Sequence, residues 1–135
     1  IISVPGNDHV IFNNSFYYAT KKANAIFVNK ADPTNGELQG TSIRLTSCDT
    51  SARNYLYKSE KNHVDVMSDE NGVWAICALE KSNNTVVWKF NTTGTFSVER
   101  AWNISVRHQD AGDMFIICGI LYAVDNVTAP FTRIR

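Results

Sequence analysis

Val64-Asp65-Val66-Met67-Ser68-Asp69-Glu70-Asn71-Gly72-Val73-Trp74-Ala75-Ile76 is the stretch that decides the fold of this 135-residue chain. Two apolar, β-prone runs flank a cluster of turn formers. An Asn-Gly step between such runs is a hairpin signal. Asp69-Glu70-Asn71-Gly72 is acidic but lacks the spacing of an EF-hand, so it reads as the turn and not as a calcium loop. Asp65 is the anomaly. It stands between Val64 and Val66, and a charge inside a buried strand needs a partner.

The same pattern recurs on both sides. Ser15-Phe16-Tyr17-Tyr18 follows the turn Asn13-Asn14, and Gly119-Ile120-Leu121-Tyr122 follows Cys118. Each opens a strand, and a second strand comes about ten residues later (Ile26-Phe27-Val28, Val86-Val87-Trp88, Phe131-Thr132-Arg133-Ile134). Phe16, Val73 and Ile120 are 57 and 47 residues apart. A period near 50 with several short strands per repeat indicates propeller blades. A sandwich would show about seven strands without such self-similarity. Helical periodicity is weak, and the remaining apolar segments also read as strands. The full set is His9–Phe12, Ser15–Thr20, Ala25–Lys30, Ser42–Leu45, Val64–Ser68, Gly72–Leu79, Thr85–Asn91, Thr95–Trp102, Met114–Cys118, Ile120–Val124 and Phe131–Ile134. The expected fold class is all-β, an antiparallel β-propeller, with residues 1–135 in one domain.

Lys plus Arg number 13 and Asp plus Glu 13, so the net charge is 0. That balance argues against a dedicated nucleic-acid or anionic-membrane binder, which needs a basic face. A hydrophobic content of 44% with 19% charged residues marks a folded chain. The longest apolar run, Met114 to Val124, is interrupted by Gly119 and falls short of the roughly 20 residues that span a bilayer. The chain opens on Ile1 with no signal peptide, as a mature or excised piece would.

Asn is frequent, at 14 of 135 residues, while Gly (7) and Pro (3) are scarce. Asn tolerates left-handed conformations and can replace Gly at tight turns. Five Asn head an Asn-x-Ser/Thr triplet: Asn13, Asn83, Asn91, Asn103 and Asn126. Chance would give about two, so the excess points to a secreted glycoprotein. The three cysteines, Cys48, Cys77 and Cys118, lack zinc-ligand spacing. Cys77 and Cys118 sit in apolar runs, where a cysteine is ordinarily a small buried hydrophobe. A Cys48–Cys77 bridge stays open, since spacing alone does not fix a pairing.

The stretch 64–76, together with Ala101-Trp102-Asn103 and Ala111-Gly112-Asp113-Met114-Phe115-Ile116-Ile117-Cys118-Gly119-Ile120-Leu121-Tyr122, resembles the olfactomedin domain. That family shows an Asp four residues before a D-E-x-G-L-W segment, then T-W, then N-A-F-x-I-C-G-x-L-Y. His9 to Tyr18 is similar to its V-V-Y-N-G-S-L-Y-Y hairpin. Order and spacing agree over nearly the whole chain.

The resemblance implies a five-bladed propeller of which this chain is the central two to three blades. It further implies an extracellular, non-catalytic module that binds extracellular or cell-surface proteins. Oligomers would form through regions outside this chain, with no nucleic acid and no membrane insertion by this segment. It also implies an axial Ca²⁺ held by Asp65, Asp113 and the Met114 carbonyl, with a later Ile-Asp pair beyond Arg135. A second, monovalent cation would share Asp65 and the Val66 backbone. Asp113 stands where the family has Asn, which keeps the oxygen donor and adds charge. Mixed carboxylate and carbonyl oxygens are what Ca²⁺ takes. The family disulfide maps onto Cys118, with its partner outside this chain.

Two other function classes compete with this one. A metal-dependent propeller hydrolase would need a His or nucleophile constellation. His9, His63 and His108 lie in no such motif and read as surface or turn residues. Cys48, in the polar run Thr46-Ser47-Cys48-Asp49-Thr50, would be the reactive thiol. A purely structural secreted scaffold is the third class. Among the aromatics, Trp74 and Phe115 read as packing between blades. Trp88 reads equally as packing or as a partner contact.

Overall fold

The computed structural model describes residues 9–51, 54–57 and 63–124. These form ten strands in three antiparallel sheets. The first sheet holds β1 (His9–Phe12), β2 (Ser15–Lys22), β3 (Ala25–Ala31) and β4 (Ile43–Arg44). The second holds β5 (Val64–Asp69), β6 (Gly72–Ala78), β7 (Thr85–Asn91) and β8 (Ser97–Ile104). The third pairs β9 (Asp113–Ile117) with β10 (Ile120–Val124). Each strand pairs with its neighbour in sequence. These are two four-stranded propeller blades and the opening hairpin of a third. The three repeat anchors Phe16, Val73 and Ile120 each lie at the start of the second strand of their sheet. The strand expected at Phe131–Ile134, and Asn126, lie outside the described residues.

One hairpin turn uses Asn in the role that Gly ordinarily has. Asn13 and Asn14 have φ of 46° and 64°, and close a two-residue loop in which Phe12 faces Ser15. That loop demands left-handed backbone at both positions. Cys118 and Gly119, at 53° and 72°, do the same between Ile117 and Ile120. In the second blade Glu70-Asn71 turns the chain and Asp69 faces Gly72, as the sequence indicated.

Strand alternation gives the second blade two apolar faces. Val64, Val66, Val73, Ala75, Cys77, Val86, Trp88 and Phe90 pack against Tyr17, Ala19, Ile26 and Val28 of the first blade. Trp74, Ile76 and Val87 pack with Leu56, Tyr57, Met114 and Ile116 on the side of the third. β6 lies between both interfaces and is buried along its whole length. β8, at the blade's outer edge, is exposed along nearly all of its length.

Cys48 is disulfide-bonded to Cys77 across a Cα separation of 5.5 Å. The loop before the second blade is thereby fastened to that blade's central strand. Cys48 is therefore no reactive thiol and Cys77 no free hydrophobe. Cys118 is the free cysteine and is exposed in its turn. Glu70, through a hydrogen bond and its charge, pushes the Cys118 thiol pKa up.

His108 also departs from expectation. It is fully buried at the head of a 3-10 helix (His108–Asp110). Its Nδ1 lies 2.9 Å from the Leu56 carbonyl and its Nε2 3.2 Å from the Ser82 carbonyl. The ring bridges two loops, and whichever nitrogen carries the proton donates to the carbonyl it faces.

Trp74 and Trp88 are buried, as is Tyr17, while Trp102 is 36% exposed and stacks on Trp74 at 6.0 Å. Phe115 stacks on Tyr122 at 5.3 Å.

Candidate metal centre

Asp65 faces the third blade because its neighbours Val64 and Val66 take the opposite face, and it pairs in register with Ile76. Only 6% of it is exposed. Met114 begins the apolar part of β9, and its buried side chain joins the same interface. Asp113, one residue earlier and half-buried, accepts a 2.8 Å hydrogen bond from the Met114 N–H.

Tyr57 joins these elements. It lies in the segment between the first two blades and is 2% exposed. Its hydroxyl donates to Asp65 Oδ2 at 2.5 Å, and the Met114 carbonyl oxygen is 3.5 Å from that hydroxyl oxygen. Burial, then the charge and hydrogen bond of Asp65, then the charge of Asp113, push the phenol pKa far above its ordinary range. The hydroxyl thus stays protonated and acts as a neutral donor. Burial also raises the Asp113 carboxyl, against the lowering effects of the Met114 N–H and Tyr57 bonds.

The fold therefore gathers Asp65, Asp113 and the Met114 carbonyl around one phenol. The site offers two carboxylates, one carbonyl and one hydroxyl, all hard oxygen donors. Among the described residues no group of three or more His, Cys, Asp or Glu is assembled. Beside the two carboxylates, the described residues offer the Met114 carbonyl and the Tyr57 hydroxyl as oxygen donors. The donor set fits Ca²⁺, and it lacks the Cys or His donor around which zinc sites are built. Val66, whose backbone the resemblance assigns to a second ion, turns its side chain into the other interface.

Sequence reasoning missed Tyr57. It lies in an irregular segment with no strand pattern to flag it. It also missed Asp69, whose Oδ1 accepts from the Trp74 indole at 2.8 Å and the Asn71 N–H at 2.9 Å. Its Oδ2 accepts from the Gly119 N–H at 2.9 Å. That carboxylate ties the turn of the second blade to the turn of the third. A sequence signal existed: Asp69 opens the acidic turn five residues before an indole.

Of the expected glycan acceptors, Asn13 sits at a strand-connecting turn, Asn91 at the end of β7, Asn83 in the loop before β7, and Asn103 on β8.

Comparison with known proteins supplies a family. Residues 2–135 match the family model described as olfactomedin-like domain. Over 72 residues, or 53% of this chain, the sequence is 33% identical to myocilin from Felis catus. The matched stretch spans 15% of that protein's length.

Proposed function

The chain belongs to the olfactomedin-like domain family, and from that premise we propose that it is the central part of an extracellular, calcium-binding, non-catalytic protein-interaction module. The observation that carries this reading is the meeting of Asp65, Asp113 and the Met114 carbonyl at the Tyr57 hydroxyl between the second and third blades. Two carboxylates brought into one buried interface repel each other and lose hydration. A divalent cation offsets both costs. The Cys48–Cys77 bond supports an oxidising, extracytoplasmic setting. Partners would be extracellular or cell-surface proteins.

When bound, Ca²⁺ would supply a fixed positive charge that ties the second blade to the third. Asp65 would hold it from β5, and Asp113 and Met114 from β9. Tyr57 would orient the Asp65 carboxylate by its hydrogen bond. A shared monovalent ion at Asp65 would add to the same charge balance.

The test is calorimetric titration of the full-length domain with Ca²⁺, alongside its Asp65→Ala variant. Saturable binding is expected in the wild type and not in the variant. Equal heats in both would remove the metal from this reading. Receptor or matrix capture that survives the variant would leave the interaction function standing without it.

A further inference from the structure

The four described Asn-x-Ser/Thr triplets are equivalent in sequence and unlike in the fold. N-linked transfer requires both ends of the triplet, the Asn amide and the hydroxyl two residues on. In Asn13-Asn14-Ser15 the serine is buried, and its hydroxyl donates to Gln39 Oε1 at 3.0 Å. In Asn83-Asn84-Thr85 the Asn is half-buried, and its amide oxygen, suitably oriented, accepts from Arg107 Nε at 3.0 Å. Its threonine is fully buried and donates to the Val106 carbonyl at 2.7 Å.

The other two triplets have both ends in solvent. Asn91 closes β7, and its Oδ1 accepts from the Thr93 N–H at 3.1 Å and the Thr93 hydroxyl at 3.0 Å. That bonding sets the hydroxyl against the amide through Oδ1 and does not engage Nδ2. Asn103 is exposed on β8, as is Ser105. Its Oδ1 faces Asn84 Nδ2 at 3.4 Å, which again leaves its own Nδ2 free of that contact.

Their placement is a second, independent observation. β8 is the outer strand of its sheet, bonded to β7 alone. It is an eight-residue edge, exposed at Val98 (40%) and Trp102 (36%). A long exposed edge with apolar side chains is a template for pairing with another chain. Asn91 stands opposite Ser97 at one end of this edge, and Asn103 lies on it near the other.

We propose that Asn91 and Asn103 carry N-linked glycans and that these two sugars keep the β8 edge from pairing with a second copy of the chain. This rests on the extracellular reading above, because the donor is a lipid-linked diphosphate oligosaccharide met in secretion. In the transfer, Asn Nδ2 forms a bond to the anomeric carbon, and the anomeric C–O bond to the diphosphate breaks. The diphospholipid leaves with the electron pair, and the amide gives up one proton to a base of the transferase.

The test uses the full-length protein secreted from animal cells. N-glycans are released enzymatically in heavy-oxygen water, which converts each occupied Asn to labelled Asp, and peptides are read by mass spectrometry. Label is expected at positions 91 and 103 and not at 13 or 83. Absence at 91 or 103 overturns the assignment of that acceptor, and predominant label at 13 or 83 overturns the accessibility argument. The same digest reports the Cys48–Cys77 bond. A bond present without label sinks the glycan proposal alone, whereas loss of both also removes the extracellular reading. For the edge, light scattering is compared before and after release of sugar from folded wild-type protein, and for a Thr93→Ala/Ser105→Ala variant. A shift to larger mass in the sugar-free samples is expected, and unchanged mass in both overturns the guard role.

Discussion

The two interfaces on either side of the second blade share one sheet and differ in chemistry. The face toward the first blade is mainly apolar and is closed by the Cys48–Cys77 bond. The face toward the third blade mixes Ile76, Met114 and Ile116 with Asp65, Tyr57 and the buried His108. The first interface is held by burial and a covalent link. The second is held partly by hydrogen bonds between groups that are costly to bury. Two blades can thus be joined without buried carboxylates. Polar groups at the other junction therefore signal a task besides cohesion.

Substitutions on the two faces should separate these modes. Phe90→Ala, on the apolar face, is expected to cost about 3–5 kcal/mol, read as a drop in urea midpoint that added calcium does not restore. A drop that calcium largely restores would mean the two interfaces are coupled. Removing the bridge with Cys48→Ser/Cys77→Ser is expected to cost about 3–4 kcal/mol for a loop of this size, again by denaturant midpoint. A loss near zero would place cohesion of this face in its side chains alone.

Acid acts in opposite directions on one carboxyl from each region. Near the bridge, burial raises the Asp49 carboxyl, but bonds from the Ser51 N–H, the Asn54 amide and the Lys81 N–H outweigh it and hold the pKa at about 2. A depressed carboxyl stabilises the fold above its unfolded value and loses that stability as pH falls through its folded value. The loss amounts to about 2 kcal/mol between roughly pH 4 and pH 2. Asp113 is raised by burial, so its destabilisation is full at neutral pH and is relieved as pH falls. In a chelator, stability against pH should flatten below pH 4 in Asp49→Asn. Asp113→Asn should gain stability at pH 7 and match the wild type in acid. Parallel curves for all three proteins would contradict both assignments.

The finest comparison uses one residue type. Trp74 donates its indole N–H to Asp69, whereas the Trp88 N–H is buried with no partner among the described residues. Changing each to Phe removes similar volume, so the difference isolates the N–H. Trp74→Phe is expected to be the more destabilising by about 1 kcal/mol, in thermal unfolding of the two variants side by side.

What the sequence revealed followed from locality. Hairpins announced themselves through Asn13-Asn14 and Asn71-Gly72 between β-prone runs, and the blade phase through Phe16, Val73 and Ile120. Asp65 stood out because a strand's alternation exposes any charge that breaks it. Tyr57 and His108 did not stand out, because each acts on groups far along the chain. The pairing of Cys48 with Cys77 was equally hidden. A loop's route back to a strand is fixed by packing, which no short window of sequence records.

β6 has a consequence for how the molecule opens. Its side chains are buried on both faces, and its backbone is bonded to β5 on one side and β7 on the other. No local fluctuation can bring water to its amides without parting an interface or a neighbouring strand. Deuterium uptake across Val73–Cys77 should therefore be the slowest in the described chain. Its rate would serve as an internal clock for the collective opening of the blade, while the amides of β8 exchange on their own, much shorter, time.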